Sequence, residues 1–297
     1  MQKLKFSLLM LVACSTVSGW AKASESRLHW FPKKAFPGGV VLIKFPISPE
    51  ENEAIYRLLI NQNEIPWALC PQVKERVLCA FMGVPLDETP VSLDVQVKKR
   101  EAESGSAAAI VSIPIEKKAY KKSKLTVPPG HAEPSVEDKK RMEEERAVIK
   151  SVFQSGSKAF LWEHSFRFPG PGAPTSPFGN QRVFNGKVAS THYGVDLRGN
   201  EKTPVLSANA GKVAYAGNLF NAGNFVVVDH GGGIFTTYSH LSTVAVQLGD
   251  RVKPGQRLGQ VGRTGRVTGP HLHWSVRIHD LYVDPLVFLK VSGNVRS

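Results

Sequence analysis

The most constraining feature of this 297-residue chain is a strictly alternating segment from His271 to Ile278. Residues two apart on a β-strand share a face, so His271 and His273 are predicted to project from the same, polar face. The intervening residues are all apolar and are predicted to face a core: Leu272, Trp274, Val276 and Ile278. Two neighbouring imidazoles on the polar face of such a strand have no packing purpose. The segment therefore predicts a strand that carries part of a functional site.

A second group of candidate ligands lies earlier in the same region, in the motif His192-x-x-x-Asp196. Together with the His-x-His pair it supplies a His, Asp and His set. Three protein ligands leave the fourth position of a tetrahedral zinc open, which is what a catalytic zinc requires. Imidazole ligands disfavour calcium and magnesium, which prefer oxygen. The spacing therefore indicates a catalytic zinc site with an open position.

Composition excludes several other classes of protein. Hydrophobic residues make up 42% of the chain and charged residues 21%, which excludes wholesale disorder. No apolar run reaches the roughly 18 to 20 residues of a membrane-spanning helix, so no integral membrane segment is expected. The net charge is 38 − 25 = +13, and it favours an anionic partner such as nucleic acid, acidic lipid or cell-wall polymer. Residues 157–297 carry most of it, with 15 basic against 7 acidic residues.

The N-terminal residues indicate export. Lys3 and Lys5 precede an apolar stretch, and Ala21-Lys22-Ala23 forms a small-x-small cleavage site, so residues 1–23 are predicted to be a secretory signal peptide. A competing interpretation is a lipobox ending at Cys14, which would make this cysteine a lipid anchor. Either form leaves the cytoplasm, and export excludes a nucleic-acid partner in favour of a cell-wall polymer.

The remaining chain is predicted to be mainly β, in three parts. Residues 24–115 contain short strand patterns and are predicted to form a small β-sandwich or barrel, with a structural disulfide between Cys70 and Cys79. Residues 116–156 are predicted to be a linker with a helix. Residues 157–297 are dense in strand and turn signals and show no helical periodicity, which predicts an antiparallel β-sheet domain.

The linker helix is predicted to run from about Ser135 to Phe153. Ser135 to Asp138 matches a capping box, and Met142, Ile149 and Val152 lie near one stripe with Phe153. Two roles are open for this helix. It is either a solvated connector or a segment that docks on the C-terminal domain, partly covers its groove and restrains activity.

The C-terminal part, roughly residues 160–290, resembles the lysostaphin-like, LytM-type zinc metallopeptidases, which cleave peptide cross-links in bacterial peptidoglycan. The resemblance rests on motifs in a fixed order: Ser176-Pro-Phe-Gly179 with Arg182, His192-x-x-x-Asp196, Tyr238-x-His240-Leu241, Gly249-Asp-x-Val252, Gly255-Gln256 and Gly269-Pro-His271-Leu-His273. It implies that His192, Asp196 and His273 are the zinc ligands, with one zinc per chain. It also implies that His240 and His271 form an unligated catalytic pair, without indicating which is the base.

The expected function is therefore that of a zinc endopeptidase acting on peptidoglycan peptide stems in the periplasm or cell envelope. Two alternatives differ in class. A LytM-type module that has lost its ligands would bind the wall or activate other hydrolases, but no ligand is missing here. A lipoyl-like or sugar-binding β module would share the glycine turns, but it would leave the histidines unexplained.

Overall fold

The structure, a computed structural model, describes residues 27–71, 73–87, 90–100, 107–125, 135–170, 172–184 and 187–295. The predicted signal peptide and Cys14 lie outside these residues. The fold is mainly β, as expected, with antiparallel sheets at both ends of the chain and a helix between them. No helix within the described ranges has the length and apolarity needed to cross a bilayer.

The N-terminal part is a β-sandwich of two four-stranded antiparallel sheets. One sheet has the order β1-β2-β6-β5 and the other β4-β3-β7-β8. The strands are β1 (His29–Phe31), β2 (Val40–Pro46), β3 (Tyr56–Ile60), β4 (Asn63–Ile65), β5 (Ala68–Leu69), β6 (Val77–Gly83), β7 (Ser92–Lys99) and β8 (Ala109–Pro114). Alternation along β7 buries Leu93, Val95 and Val97 in the sandwich core, while Val91 precedes the strand and is exposed. Cys70 and Cys79 are joined across the β5–β6 hairpin.

The first sheet of the sandwich is buried on both faces. On β2, Val41 and Ile43 face the sandwich core, whereas Val40 and Leu42 belong to the hydrophobic core of the C-terminal part. Strand β6 approaches that part so closely that a Cβ on Gly83 would lie 2.8 Å from the side chain of Val283. The two halves of the chain therefore share one continuous core.

The C-terminal part is built on a ten-stranded sheet with the main order β10-β13-β20-β17-β16-β15-β18. Its strands are β10 (Pro174–Ser176), β13 (Val195–Arg198), β14 (Pro204–Leu206), β15 (Gly211–Leu219), β16 (Gly223–Asp229), β17 (Ile234–Val244), β18 (Arg251–Val252), β19 (Arg257–Val261), β20 (His271–Ile278) and β21 (Leu281–Val283). Strand β20 lies between β13 and β17, so its two histidines are in the middle of the sheet.

A small three-stranded sheet connects the predicted linker to the C-terminal part. It consists of β9 (Lys122–Leu125), β11 (Gln181–Phe184) and β12 (Lys187–Thr191), with β9 parallel to β11. The Tyr120 hydroxyl donates to the Pro37 carbonyl at 2.5 Å, and its ring packs against Phe178. This part of the linker therefore contacts both halves of the chain.

The predicted linker helix forms as α1 (Val136–Gln154). Ser135 caps it, and the capping box with Asp138 is present in both directions. Ile149, Val152 and Phe153 pack against a cluster on the C-terminal sheet that comprises Leu219, Phe225, Val227 and Phe235. These residues of the helix are therefore docked on the sheet, so the helix is not solvated along its whole length. The sheet residues are apolar, and the helix side chains cover them.

Residues 157–297 form the expected antiparallel β-sheet structure, and the sheet is followed by a helix that no periodicity in the sequence indicated. Helix α2 (Pro285–Ser292) follows β21, with Asp284 as its N-cap and Pro285 in its first turn. Phe288, fully buried, packs against Phe81 of the sandwich and Phe166. Helix α2 thus fills the space between the two halves. Its segment is almost entirely apolar, so it has no polar face from which a helical period could be detected.

Candidate metal centre and catalytic site

The site lies on one face of the C-terminal sheet, which we call the catalytic face. Asp196 of β13 pairs directly with His273 of β20, and Arg198 pairs with His271. Directly paired residues of antiparallel strands project to the same face, so Asp196, His271 and His273 share it. The predicted alternation along β20 is confirmed, because Leu272, Trp274, Val276 and Ile278 on the opposite face are fully buried.

The three predicted ligands converge. The Nε2 atom of His192 lies 3.0 Å from Asp196 Oδ1 and 3.0 Å from His273 Nδ1, and His273 Nδ1 lies 2.9 Å from Asp196 Oδ1. These side chains are 19–23% exposed, so the triangle they form is open to solvent. His192 comes from the loop between β12 and β13, whereas the other two come from paired strands.

This triangle fits a zinc ion. Ligand atoms about 2.0 to 2.2 Å from a tetrahedral zinc lie about 3.4 Å from one another, close to the spacing found here. The outer nitrogens of both imidazoles are occupied: His192 Nδ1 lies 2.8 Å from the Pro177 carbonyl, and His273 Nε2 lies 3.0 Å from Ser275 Oγ. Because the Pro177 carbonyl can only accept, it favours the His192 tautomer whose unprotonated Nε2 faces a metal, and the Ser275 hydroxyl can accept from His273 Nε2 in the same way. Two imidazoles and one carboxylate could therefore hold a zinc ion.

The electrostatics of the triangle favour deprotonated ligands. Burial opposes ionisation of Asp196, but the contacts of its carboxylate with His192 and His273 outweigh burial and hold the pKa of Asp196 well below its usual range. Burial also lowers the pKa of His273, although its bond to Asp196 works in the other direction. A metal requires a carboxylate and neutral imidazoles, and the pKa shifts of Asp196 and His273 are in the direction of those forms.

The two remaining histidines of the motifs lie beside the triangle as a pair. The rings of His240 and His271 have centroids 4.9 Å apart, and the His240 ring is 6.1 Å from that of His273. His240 Nδ1 lies 3.0 Å from the Thr264 carbonyl, and His271 Nδ1 lies 2.9 Å from the Gly269 carbonyl. In both rings the Nδ1 atom is thus engaged by the backbone, and Nε2 is the nitrogen left for chemistry.

His240 is the more buried member of this pair. It is 8% exposed and has a backbone φ of 65°, a left-handed conformation that is uncommon for a residue other than glycine. Burial lowers its pKa to about 4, against the opposing effect of its hydrogen bond to Thr264. His240 is therefore a neutral imidazole at neutral pH, able to accept a proton.

Several residues that shape the site were not singled out from the sequence. Thr264 and Pro177 act through their carbonyl groups, which any residue type possesses, so their identity gives no signal. Gly194 has a clearer reason, because an added Cβ would lie 2.5 Å from Ser275 Oγ and 2.7 Å from the His273 ring. Arg182 belongs to the motif set, but its side chain lies outside the described residues.

Comparison with known proteins assigns a family to the segment that carries the site. The sequence profile of peptidase family M23 matches residues 190–285, which contain all five site residues. These residues form a peptidase family M23 domain. The fold outside the domain also has a counterpart. A crystal structure described as a putative peptidase M23 from Pseudomonas aeruginosa is similar at a TM-score of 0.64 and 29% identity, over 88% of this chain and 96% of that one.

Two curated relatives are similar to this chain over shorter segments. The peptidoglycan DD-endopeptidase ShyA of Vibrio cholerae is 44% identical over 90 residues, which are 30% of this chain and 21% of ShyA. The DD-carboxypeptidase/endopeptidase Mpg of Neisseria gonorrhoeae is 37% identical over 112 residues, which are 38% of this chain and 26% of Mpg. The M23 similarity thus spans only about a fifth to a quarter of these relatives.

Proposed function

We propose that this chain is a zinc-dependent endopeptidase that hydrolyses peptide cross-links of bacterial peptidoglycan. The observation that carries the proposal is the convergence of His192, Asp196 and His273 beside the His240–His271 pair on one face of the sheet. His192, Asp196 and His273 would hold one zinc ion per chain. Zinc bound there would supply a Lewis acid for the scissile carbonyl and lower the pKa of a coordinated water.

The chain's own residues account for the proton transfers. Since the Nδ1 atoms of His240 and His271 are held by backbone carbonyls, their Nε2 atoms are in place to exchange protons with substrate and water. One of the two accepts the proton of the attacking water, and the pair hydrogen-bonds the oxyanion and returns a proton to the departing amine. In this scheme His192, Asp196 and His273 would serve to hold the zinc ion.

The substrate class rests on charge and on the relatives. Residues 157–297 have 15 basic and 7 acidic residues, a net of +8 that suits an anionic, carboxylate-rich wall polymer. ShyA is named as a peptidoglycan DD-endopeptidase, and Mpg as a DD-carboxypeptidase/endopeptidase. We therefore propose peptidoglycan peptide stems as the substrate, and export to the periplasm or cell envelope, soluble or anchored through Cys14, as the location.

The test combines metal analysis with digestion of purified sacculi. We expect about one zinc per chain in the wild type and little or none in His273→Ala. His240→Ala and His271→Ala should retain zinc but lose at least about 100-fold in the rate at which cross-linked dimers disappear, as expected for general acid–base groups.

His164→Ala is a matched control, because this histidine lies outside the site and should keep both zinc and activity. Full zinc retention in His273→Ala would contradict the ligand set. A zinc-bound wild type that releases no cross-links would instead support a role in wall binding or in activating other hydrolases.

A further inference from the structure

The turn between β15 and β16, residues 220–222, lies between helix α1 and the segment that carries His240. On the helix side, both carboxylate oxygens of Glu145 accept from the Phe220 backbone N–H, at 3.0 and 2.9 Å. The Glu145 side chain is only 20% exposed, and Arg141 donates its Nε to Oε1 at 2.7 Å. Glu145 is thus the hydrogen-bonding contact between the helix and this turn.

On its other side the same turn holds the His240 segment. The His240 backbone N–H donates to the Ala222 carbonyl at 2.8 Å, and Arg266 N–H donates to the Asn221 carbonyl at 3.0 Å. Gly223 packs so tightly on Thr264 that an added Cβ would lie 2.3 Å from it. Movement of the turn would therefore move both His240 and the loop whose Thr264 carbonyl engages its Nδ1.

A parallel route of side-chain bonds joins the same parts. Arg141 donates to Asn218 Oδ1 at 3.3 Å, and Asn218 donates to Asn224 Oδ1 at 3.0 Å. Asn224 in turn donates through its side chain to the Leu241 carbonyl and through its backbone N–H to Thr264 Oγ1, both at 2.9 Å. Because His240 has a left-handed backbone, its conformation depends on such external bonds.

We propose that Glu145 is a positioning residue for His240. By fixing the turn, its carboxylate fixes the His240 backbone and the direction in which Nε2 points. This inference rests on the proposed function, in which His240 is a catalytic residue. Helix α1 lies outside the residues that match family M23, and it would contribute to the reaction through His240 rather than only cover the sheet.

The direct test is Glu145→Ala assayed on a soluble cross-linked muropeptide dimer. We expect kcat to fall about tenfold, equivalent to about 1.4 kcal/mol in the barrier, with KM changed less than about twofold and zinc content unchanged. Glu145→Gln should recover most of the rate, because its amide oxygen can still accept from the Phe220 N–H. Glu144→Ala, at the exposed neighbouring position on the helix, should behave as wild type.

A double-mutant cycle separates positioning from a general loss of folding. If Glu145 acts through His240, Glu145→Ala should cost nothing further in a His240→Ala background measured over long incubations. An equal loss in both backgrounds, or a wild-type rate for Glu145→Ala, would overturn the inference while leaving the proposed function intact. A wild-type rate for His240→Ala would overturn the proposed catalytic pair and this inference with it.

Discussion

The N-terminal sandwich and the C-terminal sheet bury very different side chains. Among the described residues, the buried polar and charged side chains other than tyrosine lie between Ser207 and Ser292, and the buried residues of the sandwich core are apolar apart from the Tyr56 hydroxyl. Burying a polar group costs free energy unless it is hydrogen-bonded, so a core without function is expected to avoid it. The contrast indicates that the two cores are built differently, and that the C-terminal sheet accepts this cost around its site.

The buried polar groups of the C-terminal sheet form a network below the catalytic face. His230 Nδ1 donates to the Ala210 carbonyl at 2.7 Å, and Thr236 donates to His230 Nε2 at 2.8 Å. The Tyr238 hydroxyl contacts Thr236 Oγ1 at 2.9 Å and accepts from Ala208 N–H at 2.9 Å. Thr236 and Tyr238 lie on β17, the strand that also carries His240, so the network fixes the strand behind the site.

The largest effect is expected where the two regions meet. Phe288→Ala removes a fully buried ring from the core between them and should lower the free energy of unfolding by about 3–5 kcal/mol. Urea unfolding followed by tryptophan fluorescence measures this loss. Leu286→Ala, 37% exposed on the same helix, is the control and should cost less than about 1 kcal/mol. Equal losses would mean that the shared core contributes little.

The second effect concerns pH and the polar core. Burial lowers the pKa of His230 to about 4, partly opposed by its bond to Ala210, whereas the unfolded value is 6.5. Because the folded pKa is depressed, the neutral form stabilises the fold above pH 6.5, and this contribution is lost as the pH falls toward 4. The loss is about 3 kcal/mol. Between pH 7 and pH 4 the free energy of unfolding should fall more steeply for the wild type than for His230→Asn. An imidazole that titrates near pH 6.5 in the folded protein would contradict this.

The smallest effects are expected from exchanging threonine and valine, which have the same shape. The exchange is made in one direction in the C-terminal sheet and in the other direction in the sandwich. Thr236→Val removes the hydroxyl that contacts His230 Nε2 and the Tyr238 hydroxyl, and should cost about 1–3 kcal/mol. Val95→Thr places a hydroxyl in the apolar sandwich core and should cost a similar amount. Both are measured by urea unfolding. If Val95→Thr were neutral, the sandwich would tolerate polar groups and the contrast between the two cores would lose its meaning.

Features that depend on neighbouring residues in the sequence were predicted, whereas features that depend on residues far apart in the chain were not. The strand from His271 to Ile278 and the cap of α1 at Ser135 follow from local periodicity and local hydrogen bonds, and both were predicted. The contact of α1 with Phe225 and Phe235 depends on residues far apart in the chain, so the sequence left its role open. The burial of β2 on both faces could not be predicted from the sequence either, because the segment from Val40 to Ile43 shows only an apolar run. The contact between His240 and the Thr264 carbonyl was not predicted, because every residue type has a backbone carbonyl and the sequence gives no signal for it.

The core shared by the two halves limits how this protein can be recombined. Val40 and Leu42 of the sandwich pack in the same cluster as Trp162 and Phe288 of the C-terminal part. A sandwich taken from another protein would have to present the same apolar contact surface to the C-terminal part. Unlike a module on a flexible linker, this sandwich therefore cannot be exchanged independently of the C-terminal part.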